Sequence, residues 1–150
     1  MNRHYLLARR PVGQPTPEDV VFTEEPEPEP GPGEIVIANR YMSLDPAIRG
    51  WMSDEPNYID PIPVGTKVWA TTIGRVVKSN SPDFSEGDLA LGLNAWEDYT
   101  CVPAEAAGRI EDSMGLPLTN FLSVLGATGM TAYFGLLDVG KPQPGETLLV

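Results

Sequence analysis

The sequence predicts a mainly β domain, a small barrel or sandwich, that hands over to helices near its C-terminal end. Three observations support this. Short apolar runs recur between turn formers across the first 110 residues. Apolar residues at helical spacing appear only after Pro117. Gly 15 and Pro 16 are high together, which suits many short strands joined by tight turns.

Taken in order, residues 5–8 and 20–22 read as short strands around a Pro-rich turn at 11–17. Glu24-Glu-Pro-Glu-Pro-Glu-Pro-Gly-Pro-Gly-Glu34 is an extended acidic connector, because its alternate prolines cannot donate to a ladder. It runs directly into a strand at 34–38, which favours a solvated loop over a docking tail. Residues 47–52 form a single helical turn. Residues 64–70 and 73–77 make a Gly-punctuated strand pair or one bent strand. A turn cluster at 81–88 precedes strands at 89–93 and 99–102. Leu118, Phe121, Leu122 and Leu125 then mark one helix face beginning near Pro117. Met130, Tyr133, Phe134 and Leu137 mark a second after Gly126-Ala-Thr-Gly129, ended by Gly140 and Pro142. The apolar run Glu146-Thr-Leu-Leu-Val150 begins a strand that needs neighbours on both sides. It reads as the start of a domain whose remainder lies outside these residues.

Composition bounds the function. A chain of 150 residues accommodates one domain plus a short extension and buries an adequate core. A formal charge of −11 argues against nucleic acid or an anionic membrane as partner. Cys101 is the single cysteine, which excludes a disulfide framework and a cysteine metal cluster. No stretch is long enough to span a bilayer, and residues 1–10 lack the apolar core of a signal peptide, so a cytoplasmic location is expected.

The segment Tyr41-Met-Ser-Leu-Asp-Pro46, followed by Arg49-Gly50, resembles the first signature of the zinc-independent medium-chain dehydrogenase/reductases. More narrowly it resembles their prostaglandin reductase and alkenal double-bond reductase branch. The likeness continues through Gly74-Arg-Val-Val77, Phe84-Ser-Glu-Gly-Asp88 and Gly92-Leu-Asn-Ala-Trp-Glu-Asp-Tyr99. It is sharpest at Leu125-Gly126 and from Thr131 to Thr147. This resemblance implies a GroES-like, partly open β-barrel over 1–116 on the substrate side. It further implies a helical connection over 117–139 and, at 140–150, the truncated start of a Rossmann domain. The family's Gly-rich phosphate turn follows that first strand. The implied reaction is NADP(H)-dependent reduction of the carbon–carbon double bond of an enone or enal by hydride transfer, with these residues alone inactive. A quinone reductase of the same superfamily is the variant reading. A free-standing GroES-like binding module, with the acidic connector as its mobile arm, is the reading from another class. A homodimer is the candidate assembly of the parent enzyme.

Site residues follow from the same likeness. Thr131, Met130 and Asn39 are the candidate cofactor-binding residues, with Thr131 near the nicotinamide or, alternatively, a helix cap. Tyr41, Asn94, Ala95, Trp96 and Arg49 are the candidate substrate-binding residues, with Trp51 beside Arg49 at the pocket entrance or in the core. Relatives commonly carry Met-Pro-Gly where this chain has Ala127-Thr128-Gly129, between the two helices. No catalytic residue is assigned. Zinc is not expected. The first signature lacks a cysteine, residues 61–66 contain no histidine, and the one histidine is His4.

Overall fold

The computed structural model describes residues 1–111 and 115–149. The chain divides into two compact units, residues 1–114 and 115–150. In the first, β1 (Asn2–Leu7) pairs antiparallel with β2 (Val20–Glu25). The other strands are β3 (Glu34–Met42), β4 (Trp69–Ser79), β5 (Leu89–Ala95), β6 (Tyr99–Pro103) and β7 (Gly108–Ile110). They form one antiparallel sheet in the order β6-β3-β4-β5-β7.

The backbone of β1 joins the two sheets. Tyr5 N–H donates to the Trp96 carbonyl at 3.0 Å, Val68 N–H donates to the Tyr5 carbonyl at 3.0 Å, and Asp98 N–H donates to the Arg3 carbonyl at 2.9 Å. A strand with partners on both sides has no open edge, so the sheet curls towards a barrel.

Inward-facing residues of β4 show how the interior is layered. Ala70 belongs to an apolar cluster with Leu7, Ile48, Trp51, Met52, Ile62 and Val68. Val76 belongs to a second cluster with Ile35, Ile37, Phe84, Ala90 and Ala104. Between them, on the same face, lies the fully buried Thr72. Alternation along the strand therefore delivers a polar layer between two apolar ones.

Several expectations are refined. The two runs at 64–70 and 73–77 become one eleven-residue strand with a turn before it, not a pair. It bends where the β3–β4 register shifts between Val36 and Ile37 and again between Asn39 and Tyr41. Gly74 stands within the second shift, where a Cβ would run into the Ala38 carbonyl. The acidic connector is the expected loop leading into β3, and it also gains bonds to the rest of the unit. The N-terminal amine reaches Glu27 at 3.0 Å, Lys78 reaches Glu29 at 2.7 Å, and the Asn80 amide donates to the Pro30 carbonyl. Strand β7 had no sequence signal, because three residues are too few for an alternation to register. The helical turn at α1 (Pro46–Trp51) forms as expected, with Ile48 and Trp51 inward.

In the second unit, the helix expected from Pro117 is a five-residue 3₁₀ turn, Leu118–Leu122, with Leu125 outside it. None of its residues is buried, so the apolar stripe has no surface to pack on within the unit, and a short segment without packing does not sustain an α-helix. The second helix, α2 (Ala127–Phe134), starts at the Gly126 N-cap. Ala127-Thr128-Gly129 is thus its first turn and not a junction between helices. A wider π-type turn, Gly135–Gly140, continues it, and Lys141 ends it in the left-handed region with φ 49°. Residues 147–149 join no strand, and Val150 lies outside the described residues.

Gly74→Ala is expected to lower the unfolding free energy by about 2–3 kcal/mol, because the added methyl forces β3 and β4 apart. Urea denaturation followed by tryptophan fluorescence measures the change.

Candidate functional site

After the second register shift Tyr41 and Met42 still pair with β4, and the chain then leaves the sheet and turns into α1. Tyr41, Met42 and Leu44 are 44%, 42% and 76% exposed, while Ser43 N–H donates to the Thr71 carbonyl at 2.8 Å and pins the turn. Opposite, β5 ends and the chain turns through Trp96, Glu97 and Asp98 into β6. Trp96 N–H donates to the Val68 carbonyl at 2.8 Å, which fixes the indole against Tyr5, with ring centroids 6.2 Å apart. Two clefts share Leu44 and Trp96. One, of 390 Å³, adds Tyr5, Phe22 and Met42; the other, of 580 Å³, adds Pro17, Val20, Pro46, Ile48 and Met52. Both have mainly apolar walls, as small-molecule sites do. The Trp96 indole N–H and the Ser43 hydroxyl are buried without a partner among the described residues.

The expected substrate residues divide among different surroundings. Trp96 lines both clefts. Arg49 lines the larger, but its guanidinium donates to the Gly13 and Pro11 carbonyls at 2.9 and 3.0 Å, bracing the Pro-rich turn. Tyr41 is exposed on β3 opposite Ile73 and lines neither cleft. Asn94 and Ala95, both buried, line a separate cavity of 630 Å³. Trp51 is in the core, and its indole N–H donates to the Tyr58 hydroxyl at 3.2 Å.

Among the candidate cofactor residues, Asn39 has its side-chain amide committed: both N–H groups donate, to the Glu97 carbonyl at 3.0 Å and to Thr100 Oγ1 at 2.9 Å. Met130 and Thr131 lie on α2 in the second unit and are exposed. Thr131 is the fifth helical residue, so it caps nothing, and its hydroxyl makes no hydrogen bond among the described residues. That leaves the hydroxyl and the Met130 thioether available to a bound cofactor, whereas Asn39 has no donor left to give.

Residues that local patterning did not reveal form the polar layer. Glu97, 7% exposed, accepts from Lys67 Nζ at 2.7 Å, Asn2 Nδ2 at 3.1 Å and Thr100 Oγ1 at 2.8 Å. Thr72 donates to Asn39 Oδ1 at 2.6 Å and accepts from Asn94 Nδ2 at 2.8 Å. Lys67 also bonds Glu25 at 2.7 Å and holds that carboxyl below the usual carboxylate range. Burial opposes the Lys67 charge, but Glu25 and Glu97 outweigh it and raise the ammonium pKa. Burial, together with Glu34, pushes the Cys101 thiol up, which makes it a poor nucleophile. Among the described residues, no group of three or more His, Cys, Asp or Glu could hold a metal ion, and no helix is long and apolar enough to cross a membrane.

A family model described as the N-terminal domain of oxidoreductase matches residues 3–110. The NADPH-dependent curcumin reductase of Escherichia coli (strain K12) is 44% identical over 149 residues, covering 99% of this chain and 43% of that protein.

The chain belongs to the zinc-independent medium-chain dehydrogenase/reductase family.

Within this family, the 2-alkenal reductase (NADP(+)-dependent) of Nicotiana tabacum is 32% identical over 154 residues, covering 99% of the chain and 45% of that protein. The crystal structure of CurA in complex with NADPH from Vibrio vulnificus superposes with a TM-score of 0.89 at 36% identity, over 96% of this chain and 42% of that one. The chain thus spans less than half the length of these relatives. The GroES-like architecture expected for the N-terminal part of the family is the one observed.

Two consequences concern the Lys67 clasp. Because the Glu25 pKa is depressed in the fold, its stabilisation is complete above the unfolded carboxylate value, about 4.3, and is lost as pH falls through the folded value. The melting temperature should therefore fall on acidification below about pH 4.5, and Lys67→Met should flatten part of that fall. At pH 7 the same variant leaves Glu97 buried without its cation and should cost about 3 kcal/mol, measured by urea denaturation.

Proposed function

We propose that these residues form the substrate-side part of an NADPH-dependent reductase acting on the carbon–carbon double bond of an enone or enal. The observation that carries the reading is the pair of apolar clefts meeting at Leu44 and Trp96. One wall of that junction is Met42, Leu44 and Pro46 and the other is Trp96, all within the residues that the family model matches. When bound, NADPH would supply a hydride for the β-carbon of the substrate.

The chain's own residues shape and dry the substrate's surroundings. Leu44, Met42, Trp96 and Tyr5 offer apolar walls that exclude water from a developing enolate. Trp96 contributes its indole face to the clefts, while its N–H is buried without a partner among the described residues. Arg49 sets the position of the Pro11–Gly13 turn that rims the larger cleft and does not itself contact the substrate. Met130 and Thr131 are the residues of this chain that meet the cofactor, and Asn39 has a structural role in the polar layer. A small-molecule enone or enal, with neither nucleic acid nor a membrane surface, is the partner that suits apolar clefts in a chain of net charge −11.

A chimera tests this reading. Residues 1–150 joined to the remaining residues of the E. coli curcumin reductase should oxidise NADPH in the presence of but-3-en-2-one, while residues 1–150 alone should not. A chimera that folds and binds NADPH yet turns over no enone refutes the assignment. In the active chimera, Trp96→Ala should raise KM for the enone about tenfold, the loss of roughly 1.4 kcal/mol of apolar contact, with a smaller effect on kcat.

A further inference from the structure

The polar layer has a direction. A carboxylate only accepts hydrogen bonds, so Thr100 must donate its one hydroxyl proton to Glu97 Oε1 and can receive only from Asn39. The Glu97 main-chain carbonyl also receives from Asn39, so Glu97 fixes that amide twice. With both N–H groups spent, Asn39 turns Oδ1 towards Thr72, which donates its own proton there. Thr72 in turn can only accept from Asn94, through Nδ2. The hydrogen bonds linking Asn94, Thr72, Asn39 and Thr100 all run towards Glu97, and Asn94 is left with its carbonyl oxygen and its second N–H at the far end.

That oxygen accepts no hydrogen bond among the described residues. Asn94 lines the 630 Å³ cavity together with Trp69, Leu93, Tyr99, Thr100 and Val102. Gly92 keeps space open around the oxygen, since a Cβ there would lie 3.1 Å from Asn94 Oδ1. The cavity therefore combines aromatic and aliphatic walls with an oriented acceptor, and the Lys67–Glu97 ion pair that also lines it is internally compensated, which suits a neutral ligand.

We propose that this cavity binds small neutral molecules carrying a hydroxyl on an aromatic or aliphatic body, with Asn94 Oδ1 accepting the hydroxyl proton. Glu97 is the positioning residue that keeps this oxygen turned towards the ligand. The site contains neither Leu44 nor Trp96, and its test does not depend on reductase activity.

The 15N-labelled chain is titrated with 4-ethylphenol and with its methyl ether, which has the same body and no donor. The phenol should bind saturably, with shifts centred on the Asn94 side-chain amide, Leu93 and Tyr99, and the ether about tenfold more weakly. Thr72→Val cuts the relay and frees the Asn94 amide to rotate, so the preference should fall to about twofold or less, whereas Thr72→Ser should retain it. Gly92→Ala should abolish the preference by displacing Oδ1, and it decides alone if Thr72→Val does not fold. The proposal is overturned by the absence of saturable phenol binding at millimolar concentration, by shifts centred elsewhere, or by equal affinity for the two probes. A preference unchanged in the folded Thr72→Val chain, or in Gly92→Ala, overturns it equally.

Discussion

The buried carboxylate of Glu97 is the constraint on which the architecture depends. Removing an ion from water costs several kcal/mol unless partners replace the solvent, and here they come from widely separated parts of the chain. Asn2 on β1 and Thr100 on β6 bond it directly, and Lys67 pairs it while also holding Glu25 on β2. Through Thr100 and its own carbonyl it orients Asn39 on β3, which orients Thr72 on β4 and Asn94 on β5. Six strands meet in one polar layer, and each must be in register for the charge to be satisfied.

This layer specifies what the apolar clusters on either side cannot. Burial of Ile35, Ile37 and Val76 on one side and Leu7, Ile62 and Val68 on the other is non-directional and tolerates a sliding strand. A hydrogen-bond chain with a single permitted polarity does not, because a one-residue slip would turn Thr72 or Asn39 to the opposite face. The same rigidity holds the 94–98 turn, and with it the indole of Trp96 at the junction of the two clefts. Stability and site geometry thus share one set of bonds.

Much of the fold was legible because its signals are local. Turn formers at 11–17 and 81–88, the short apolar runs at 89–93 and 99–102, and the helical turn at 47–52 depend on residues within a few positions of themselves. The exceptions have physical causes. The stripe Leu118–Phe121–Leu122–Leu125 has helical spacing, but spacing forms a helix only where the stripe finds a surface to pack on. The acidic connector is the solvated loop its composition predicts, but its bonds to Lys78 and the N-terminal amine, some fifty and twenty-six residues away, were not legible. Arg49 and Asn39 carry suitable chemistry for a site, but their donors go to the carbonyls of Gly13, Pro11 and Glu97 and to the Thr100 hydroxyl, whose proximity no local pattern announces.

By itself, the sequence determined the class of the molecule: a β domain of short strands, its handover to helical residues, and the family to which the ordered motifs belong. These follow from turn chemistry, periodicity and motif order, all properties of neighbouring residues. Only the tertiary structure decided which polar side chains are spent internally and which face a cavity. Glu97 finds Asn2 ninety-five residues away, and Asn39 finds Thr100 sixty-one residues away. Hydrogen-bond polarity passes through such contacts in space, so Asn94 is oriented by Glu97, three residues on, only by way of Thr72, Asn39 and Thr100 on other strands.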